Sequence, residues 1–234
     1  MADAGGEKLD LSVIMPCLNE EQTVGICIEE AKSFMRQNEL RGEILVVDNG
    51  SSDQSARVAK EHGAKVICEI RRGYGAAIRA GIRGAAGSVL IIGDCDTTYD
   101  FLHMEGMYEM LASGQADMVI GNRYAGGIQK GAMSLSHRYG VKFLSCLGRK
   151  KFHVNVYDFH CGLRGGTKEA FERLQFTTTG MEFATEMIAE ASVQELRIRE
   201  FPVALKKCMY PRKSKLKTIQ DGFRHLRYIL SNEL

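Results

Sequence analysis

The sequence predicts an α/β fold built on a mixed, mainly parallel sheet flanked by helices, and three observations carry that prediction. Apolar runs recur through the first half: LSVIMP (11–16), EILVVDN (43–49), AKVICEI (64–70), SVLIIGD (88–94) and ADMVIGNR (116–123). They are continuous rather than alternating, as in strands covered on both faces. Helical patterns separate most of them, the rhythm expected of parallel strands joined by crossover helices.

The first strand leads into a helix in which Asn19, with Gln22 three residues on, is the expected cap, and Val24, Ile28, Ala31 and Phe34 or Met35 recur at helical spacing. The second strand ends in Asp48, Asn49, Gly50, Ser51 and Ser52. The third ends in Arg71, Arg72, Gly73, Tyr74 and Gly75, and opens a helix. The fourth ends in Asp94, Cys95 and Asp96, with Asp100 close behind. Past the fifth, YAGGIQKGAM (124–133) reads as a glycine-containing loop, followed by a helix to about residue 150. Then come a short strand around CGLRGG (161–166), a helix around GMEFATEMIAEA (180–191), an edge strand around LRIREFPVAL (196–205) and a basic loop, KKCMYPRKSKLK (206–217). Pro202 suits an edge strand because it donates no ladder hydrogen bond. With no internal repeat or linker, the 234 residues read as a single domain.

The composition, 44% hydrophobic and 26% charged, is that of a globular chain able to bury a core. A net charge of +2 is too close to neutral to argue for nucleic-acid binding from the total alone, and no nucleic acid is expected as a partner. Seven scattered cysteines with no C-x-x-C pair suggest neither a zinc site nor a disulfide framework, and fit a reducing cytoplasm. MADAGGEKLD lacks a signal-peptide core. No stretch approaches the roughly 20 apolar residues that cross a bilayer. The expectation is a cytoplasmic protein, at most peripheral at a membrane face. An apolar pattern beginning in RHLRYILSNEL leaves a membrane segment beyond it open.

In an open parallel sheet, ligands bind beyond the carboxyl ends of the strands. Glu20, Asp48, Arg72, Gly73, Gly75, Asp94 and Asp96 all follow strands and converge there. Singly, each has a plain account: Asp48 and Ser52 suit an Asx-turn and helix cap, Glu20 a first-turn acid, and the glycines a turn. The Asp94-x-Asp96 pair is sharper, since two carboxylates at one strand end can share a hard cation that bridges a diphosphate. Its plain account is a solvated, capping turn. Cys95 reads as a packing residue. A dinucleotide fold is the alternative for Gly73-x-Gly75, weakened by Ile78 where Gly or Ala is wanted.

Taken in order, VIMPCLNEE (13–21), VVDNGSSD (46–53), RRGYGAAIRAG (71–81), GDCDTTYD (93–100), VIGNRYAGG (119–127), DFHCGLRGG (158–166), GMEFATEM (180–187) and RKSKL (212–216) resemble the GT-A glycosyltransferases of family 2. Within that family they resemble the polyprenyl-phosphate glycosyltransferases of the dolichol-phosphate mannose synthase kind. The resemblance implies inverting, metal-dependent transfer of a sugar from a UDP- or GDP-sugar to a polyprenyl phosphate. It implies a donor half, residues 1–123, in which Pro16, Leu18, Glu20, Asp48, Arg72, Gly73, Gly75 and Cys95 bind the nucleotide-sugar while Asp94 and Asp96 hold Mg2+ or Mn2+. Thr98 stands where family members often carry Gln. The acceptor half, residues 124–234, would work with Arg123 and Arg138 on the acceptor phosphate and Asp158 at the reaction centre. Arg212, Lys213 and Lys215 would close over the diphosphate, and Glu182 would point inward. Glu186 reads as solvated and His160 as a structural hydrogen bonder. The plain accounts are surface salt bridges for the arginines, capping for Asp158, and a solvated basic loop.

A lipid phosphate is largely dianionic at neutral pH and needs no base, but bringing it to a diphosphate needs cations at both ends. A hydroxyl acceptor, the alternative within the family, would need a base, and Asp158 is then the candidate. The cations between Lys206 and Arg227 also suit anionic headgroups, at about 1 kcal/mol each near the surface. A non-catalytic nucleotide-sugar-binding domain is the third reading, disfavoured by the crowded carboxylates. Nothing in the sequence selects the donor's base or sugar.

Overall fold

The computed structural model describes residues 8–210 and 218–231. The apolar runs form β1 (Leu11–Cys17), β2 (Gly42–Asp48), β3 (Lys65–Cys68), β4 (Val89–Ile92) and β5 (Met118–Asn122), joined by α1 (Val24–Gln37), α2 (Ser55–Glu61), α3 (Tyr74–Gly84) and α4 (Glu105–Ala112). The chain then adds α5 (Arg123–Gly126), α6 (Leu135–Phe152), β6 (Arg164–Thr167), α7 (Lys168–Arg173), α8 (Phe183–Val193), β7 (Ile198–Pro202) and α9 (Thr218–Ser231). All seven strands share one sheet in the order β3-β2-β1-β4-β6-β5-β7. β1 lies parallel to β2 and β4, with Ile14 opposite Leu45 and Ile92. Only β6 runs antiparallel, to both β4 and β5. β7 closes the edge with Pro202 as its last residue.

The core follows from the apolar runs: Val13, Ile14, Leu45, Val46, Leu90, Ile91, Val119 and Ile120 are fully buried between layers. α1 presents Val24, Ile28, Ala31, Phe34 and Met35 inward, as its spacing predicts. Its start differs from the expectation. Asn19 takes a left-handed φ of 53°, which asparagine tolerates, and its side-chain oxygen accepts from Ser52 N at 2.7 Å, so it ties two loops instead of capping a helix. Thr23 precedes α1, and its hydroxyl donates to the Cys95 carbonyl at 2.8 Å. The expected 124–133 loop opens with the helical turn α5, because the Asn122 side chain accepts from Tyr124 N and Ala125 N, both at 3.0 Å.

The reversed strand positions the site. β4 delivers residues 93–100 to one edge of the sheet, and β6, running the other way, begins at that same edge, so residues 158–163 arrive beside them. α6, α8 and α9 pack on one another near this edge. Among the described residues, no helix is long and apolar enough to cross a membrane.

Candidate active site

A cavity of about 570 Å³ opens along this edge. Of the residues singled out from the sequence, Pro16, Leu18, Glu20, Arg72, Gly73, Asp94, Cys95, Asp96, Arg123 and His160 line it. Asp48, Gly75, Arg138 and Asp158 stand off the lining, and Arg212, Lys213 and Lys215 lie outside the described residues.

At the β1–β4 end, the loops hold one another through side-chain amides and hydroxyls. Buried Asn49 donates to the carbonyls of Glu69 and Arg71 and accepts from Gly73 N at 2.8 Å. The sequence places it at the end of the second strand but gives it no role of its own. Arg72 donates from Nη1 to the carbonyls of Asn49 and Gly50, both at 2.9 Å. Asp48 makes the Asx-turn, accepting from Ser51 N at 3.1 Å. Gly73 sits at φ 136°, and a Cβ there would fall 2.1 Å from the Thr179 carbonyl oxygen. Gly75 N and Ala76 N donate to the carbonyls of Gly180 and Thr179, both at 3.2 Å. The first turn of α3 is thereby closed by protein, which removes the open helix N-terminus a dinucleotide pyrophosphate requires.

Asp94 and Asp96 sit side by side at the end of β4. Asp96 is 3% exposed, and its Oδ1 accepts from Thr98 N at 3.0 Å and from the Thr98 hydroxyl. Thr98 thus orients the carboxylate from the position where the family often has Gln. Asp94 is confined by Gly162, where a Cβ would lie 2.3 Å from Asp94 Oδ2. Tyr99 OH accepts from Gly162 N at 2.8 Å and fixes that approach. No group of three His, Cys, Asp or Glu side chains suited to a metal forms among the described residues. Two hard carboxylates without a third ligand match what Mg2+ or Mn2+ takes from a protein when substrate phosphates and water complete its shell. Cys95 is buried, and its hydrogen bond with Cys17, then burial, pushes its thiol pKa up, so it packs as a neutral thiol.

The start of the basic loop is anchored here too. Lys206 N donates to the Thr98 carbonyl at 2.9 Å, Met209 N to the Thr97 hydroxyl at 3.1 Å, and Lys206 Nζ to Asp100 at 2.7 Å. Asp100, whose carboxyl is held below its ordinary range by these partners against the opposing effect of burial, serves this anchor and not the cavity.

At the other end, Arg123 and Asp158 form a two-pronged pair: Nε to Oδ2 and Nη2 to Oδ1, both at 2.7 Å, with Arg123 N also donating to Oδ2 at 3.0 Å. Arg123 is 5% exposed and Asp158 fully buried. Glu200 on β7, invisible to motif reading, accepts from Tyr157 N, Asp158 N and Asn122 Nδ2 at 2.8, 2.9 and 3.0 Å. Burial raises its carboxyl pKa despite these donors. Arg138 is exposed; His137, Val141 and Leu144 turn to the cavity from α6, and residue 138 lies about 100° round the helix from its neighbour.

His160 is a hydrogen bonder, as expected, with partners no motif indicated. Its Nε2 lies 3.4 Å from the Thr185 hydroxyl, which also meets His225 Nδ1 at 2.8 Å, and the two rings pack edge to face at 4.2 Å. Burial drives His160 well below the usual imidazole pKa, and His225 down to about 4. Arg164 lies beneath, fully buried, donating to the carbonyls of Phe159, Cys161 and Ala184. One glutamate differs from expectation. Glu186 is not solvated but 1% exposed, because Thr177 and Thr178 give it their N–H and hydroxyl groups. Glu182 is absent from the lining; its carboxylate turns back to Gly180 N at 3.3 Å.

Residues 12–175 match the family described as "Glycosyl transferase family 2". The chain belongs to that family. A relative is the "Low-salt glycan biosynthesis hexosyltransferase Agl6" of Haloferax volcanii, 37% identical over 225 residues that make up 95% of this chain and 53% of that protein. The chain thus spans about half of that relative's length. The "Dolichyl-phosphate hexose transferase" of the same organism is 28% identical over 195 residues, 83% of this chain and 82% of that one. The fold matches the structure of Mycobacterium tuberculosis glucosyl-3-phosphoglycerate synthase in complex with Mn2+, UDP-glucose and phosphoglyceric acid, with a TM-score of 0.76 at 19% identity, over 95% of this chain and 79% of that one. Mannosyl-3-phosphoglycerate synthase from Rubrobacter xylanophilus matches with a TM-score of 0.76 at 20% identity, over 94% and 73%. The architecture is the GT-A fold of family 2.

Proposed function

We propose that this chain is the catalytic domain of an inverting glycosyltransferase that moves a hexose from a UDP- or GDP-sugar to a polyprenyl phosphate at a cytoplasmic membrane face. The carrying observation is that one cavity holds the Asp94–Asp96 pair at one end and the Arg123 guanidinium at the other. The family and the hexosyltransferase and dolichyl-phosphate relatives support it.

In this reading residues 1–123 bind the donor and 124–234 the acceptor within one domain. Pro16, Leu18, Glu20 and Arg72 bound the nucleotide. Asp48, through its Asx-turn, and Gly75, through its bond to Gly180, shape the loops behind them. Asp94 and Asp96 hold Mg2+ or Mn2+, which supplies positive charge to the leaving diphosphate. Arg212 and Lys215 add to that charge, from a stretch that follows the anchor on Thr97 and Thr98.

Arg123 presents the acceptor phosphate with a guanidinium already oriented by Asp158, an arrangement that favours in-line attack from the far face of the sugar. Asp158 is then a positioning group. Its two oxygens are both taken by Arg123, which argues against a general base and so against a hydroxyl acceptor. Arg138 is exposed beside the lining residues His137 and Val141, so it stands at the rim and not inside the cavity. Calorimetry with UDP and GDP tests the donor end: binding appears only with Mn2+ or Mg2+ and is lost in Asp96→Ala, whereas equal metal-free binding in both proteins contradicts the assignment.

A further inference from the structure

One pair of reactive groups in the cavity has no part in the chemistry at either end. All seven cysteines are free thiols, and of these Cys17 and Cys95 line the cavity. β1 and β4 run parallel with Ile14 opposite Ile92, and Gly93 N still donates to the Ile14 carbonyl at 3.0 Å where β4 ends. Three residues beyond that pair, on each chain segment, stand Cys17 and Cys95. The Cys95 thiol lies 3.5 Å from the Pro16 carbonyl oxygen, at the peptide bond that leads into Cys17, and the two thiols hydrogen bond to each other. Neighbouring strands lie about 4.8 Å apart, within the roughly 4.4–6.8 Å between Cα atoms that a disulfide spans. Cys95 also stands between Asp94 and Asp96, with its carbonyl held by the Thr23 hydroxyl at 2.8 Å. Whatever moves its sulfur acts on the two carboxylates beside it.

We propose that Cys17 and Cys95 are an oxidative modification site, joined by peroxide entering the cavity into a reversible disulfide that draws the Asp94–Asp96 loop onto the end of β1 and switches donor binding off. One sulfur attacks a peroxide oxygen, breaking the O–O bond and releasing water as it becomes a sulfenic acid. The neighbouring thiol then displaces the sulfenic oxygen as a second water, and the S–S bond forms. Two thiols give up two electrons and two protons, and peroxide takes up both. A thiol reductant reverses the step by exchange through a mixed disulfide. In a reducing compartment such bridges are transient and redox-sensing, which suits a pair built into a ligand cavity. The disulfide is read from the thiols themselves; only its effect on donor binding rests on the proposed reading of Asp94 and Asp96.

The full chain is treated with hydrogen peroxide, the peroxide is removed, cross-linked peptides are mapped, and Mn2+-dependent binding of UDP and GDP is compared with that of untreated protein. A peptide joining Cys17 to Cys95 should appear, binding should fall about tenfold or more, and dithiothreitol should restore it. In Cys17→Ala the ratio of treated to untreated binding should not change. Because a ratio is read, a variant with altered basal affinity still reports, and Cys95→Ala serves as a second variant in the same way. Cys68→Ser, at an exposed thiol, should respond as the parent does. Absence of the Cys17–Cys95 peptide, a Cys27–Cys95 peptide in its place, or an equal loss of binding in Cys17→Ala would overturn the proposal. A cross-link that leaves binding unchanged sinks the switch. Untreated protein that binds neither UDP nor GDP sinks the donor assignment instead, while the peptide map still decides the disulfide.

Discussion

The two ends of the cavity handle charge in opposite ways. At the β1–β4 end, Asp94 and Asp96 crowd like charges at a strand terminus, with Thr98 and Gly162 confining them. At the β5–β7 end, Arg123 enters the cavity with its charge already balanced by a buried carboxylate. In the proposed reading the first end gains from a divalent cation. The second has its charge paired within the protein, and an acceptor phosphate, on the proposed reading, would meet the remaining edge of a guanidinium whose Nη1 makes no hydrogen bond to the described residues. The difference teaches that a buried ion pair ties the second end into the fold, whereas the first presents its two carboxylates held by a hydroxyl, an amide and a close backbone.

The largest expected effect breaks the balanced end. Asp158→Ala leaves a buried, unpaired guanidinium and should cost about 4 kcal/mol in urea unfolding. Arg123→Met added to it should recover part of that loss, since the two residues act as one unit. Strict additivity would show that they are not coupled. At the other end, Asp96→Ala should lower transfer by about a hundred- to a thousandfold with little change in Tm. An equal loss of stability would mean that this aspartate, too, is structural.

A pH series sharpens the contrast. His225 is held near 4 in the folded protein by burial, then by Arg164 and His137, against an ordinary imidazole value of 6.5. Below 6.5 the unfolded chain takes up the proton first, so stability is whole at neutral pH and falls as pH drops from 6.5 towards 4. The loss from His225 is on the order of 3 kcal/mol, read as a falling urea midpoint, and His225→Asn should make the fall shallower, leaving the part of the same sign that buried His160 contributes. The smallest change is Glu200→Gln, which keeps a carbonyl oxygen for Tyr157 N and Asp158 N but pairs less strongly. About 1 kcal/mol of stability is expected, with a rise in the KM for acceptor and none in that for donor.

Much of the β1–β4 end was legible because its signals are local. Each strand is a continuous apolar run, and the polar residues that follow it must meet at one edge once the strands are parallel. Asp94 and Asp96 needed only their spacing. What escaped depends on partners far along the chain: Arg123 finds Asp158 thirty-five positions on, and Glu200 reaches back to Asn122. Arg138 stands exposed on α6 beside the lining residues His137 and Val141, a placement set by helical phase, which motif resemblance does not encode. Glu186 is buried against expectation because Thr177 and Thr178, in an irregular segment with no periodicity to read, supply its donors. Asn19 kept its place but bridged loops, where its sequence context offered a helix cap.

The central claim joins both ends in one reaction, and a transfer assay tests it most directly. Given a panel of UDP- and GDP-hexoses, Mn2+ and a short polyprenyl phosphate, the protein should form lipid-linked hexose from one donor, with the anomeric configuration inverted. Product should vanish in Asp96→Ala, and Arg123→Lys should raise the KM for the lipid phosphate alone. Hexose transfer confined to soluble hydroxyl acceptors, or lipid-linked product undiminished in Asp96→Ala, would contradict the account.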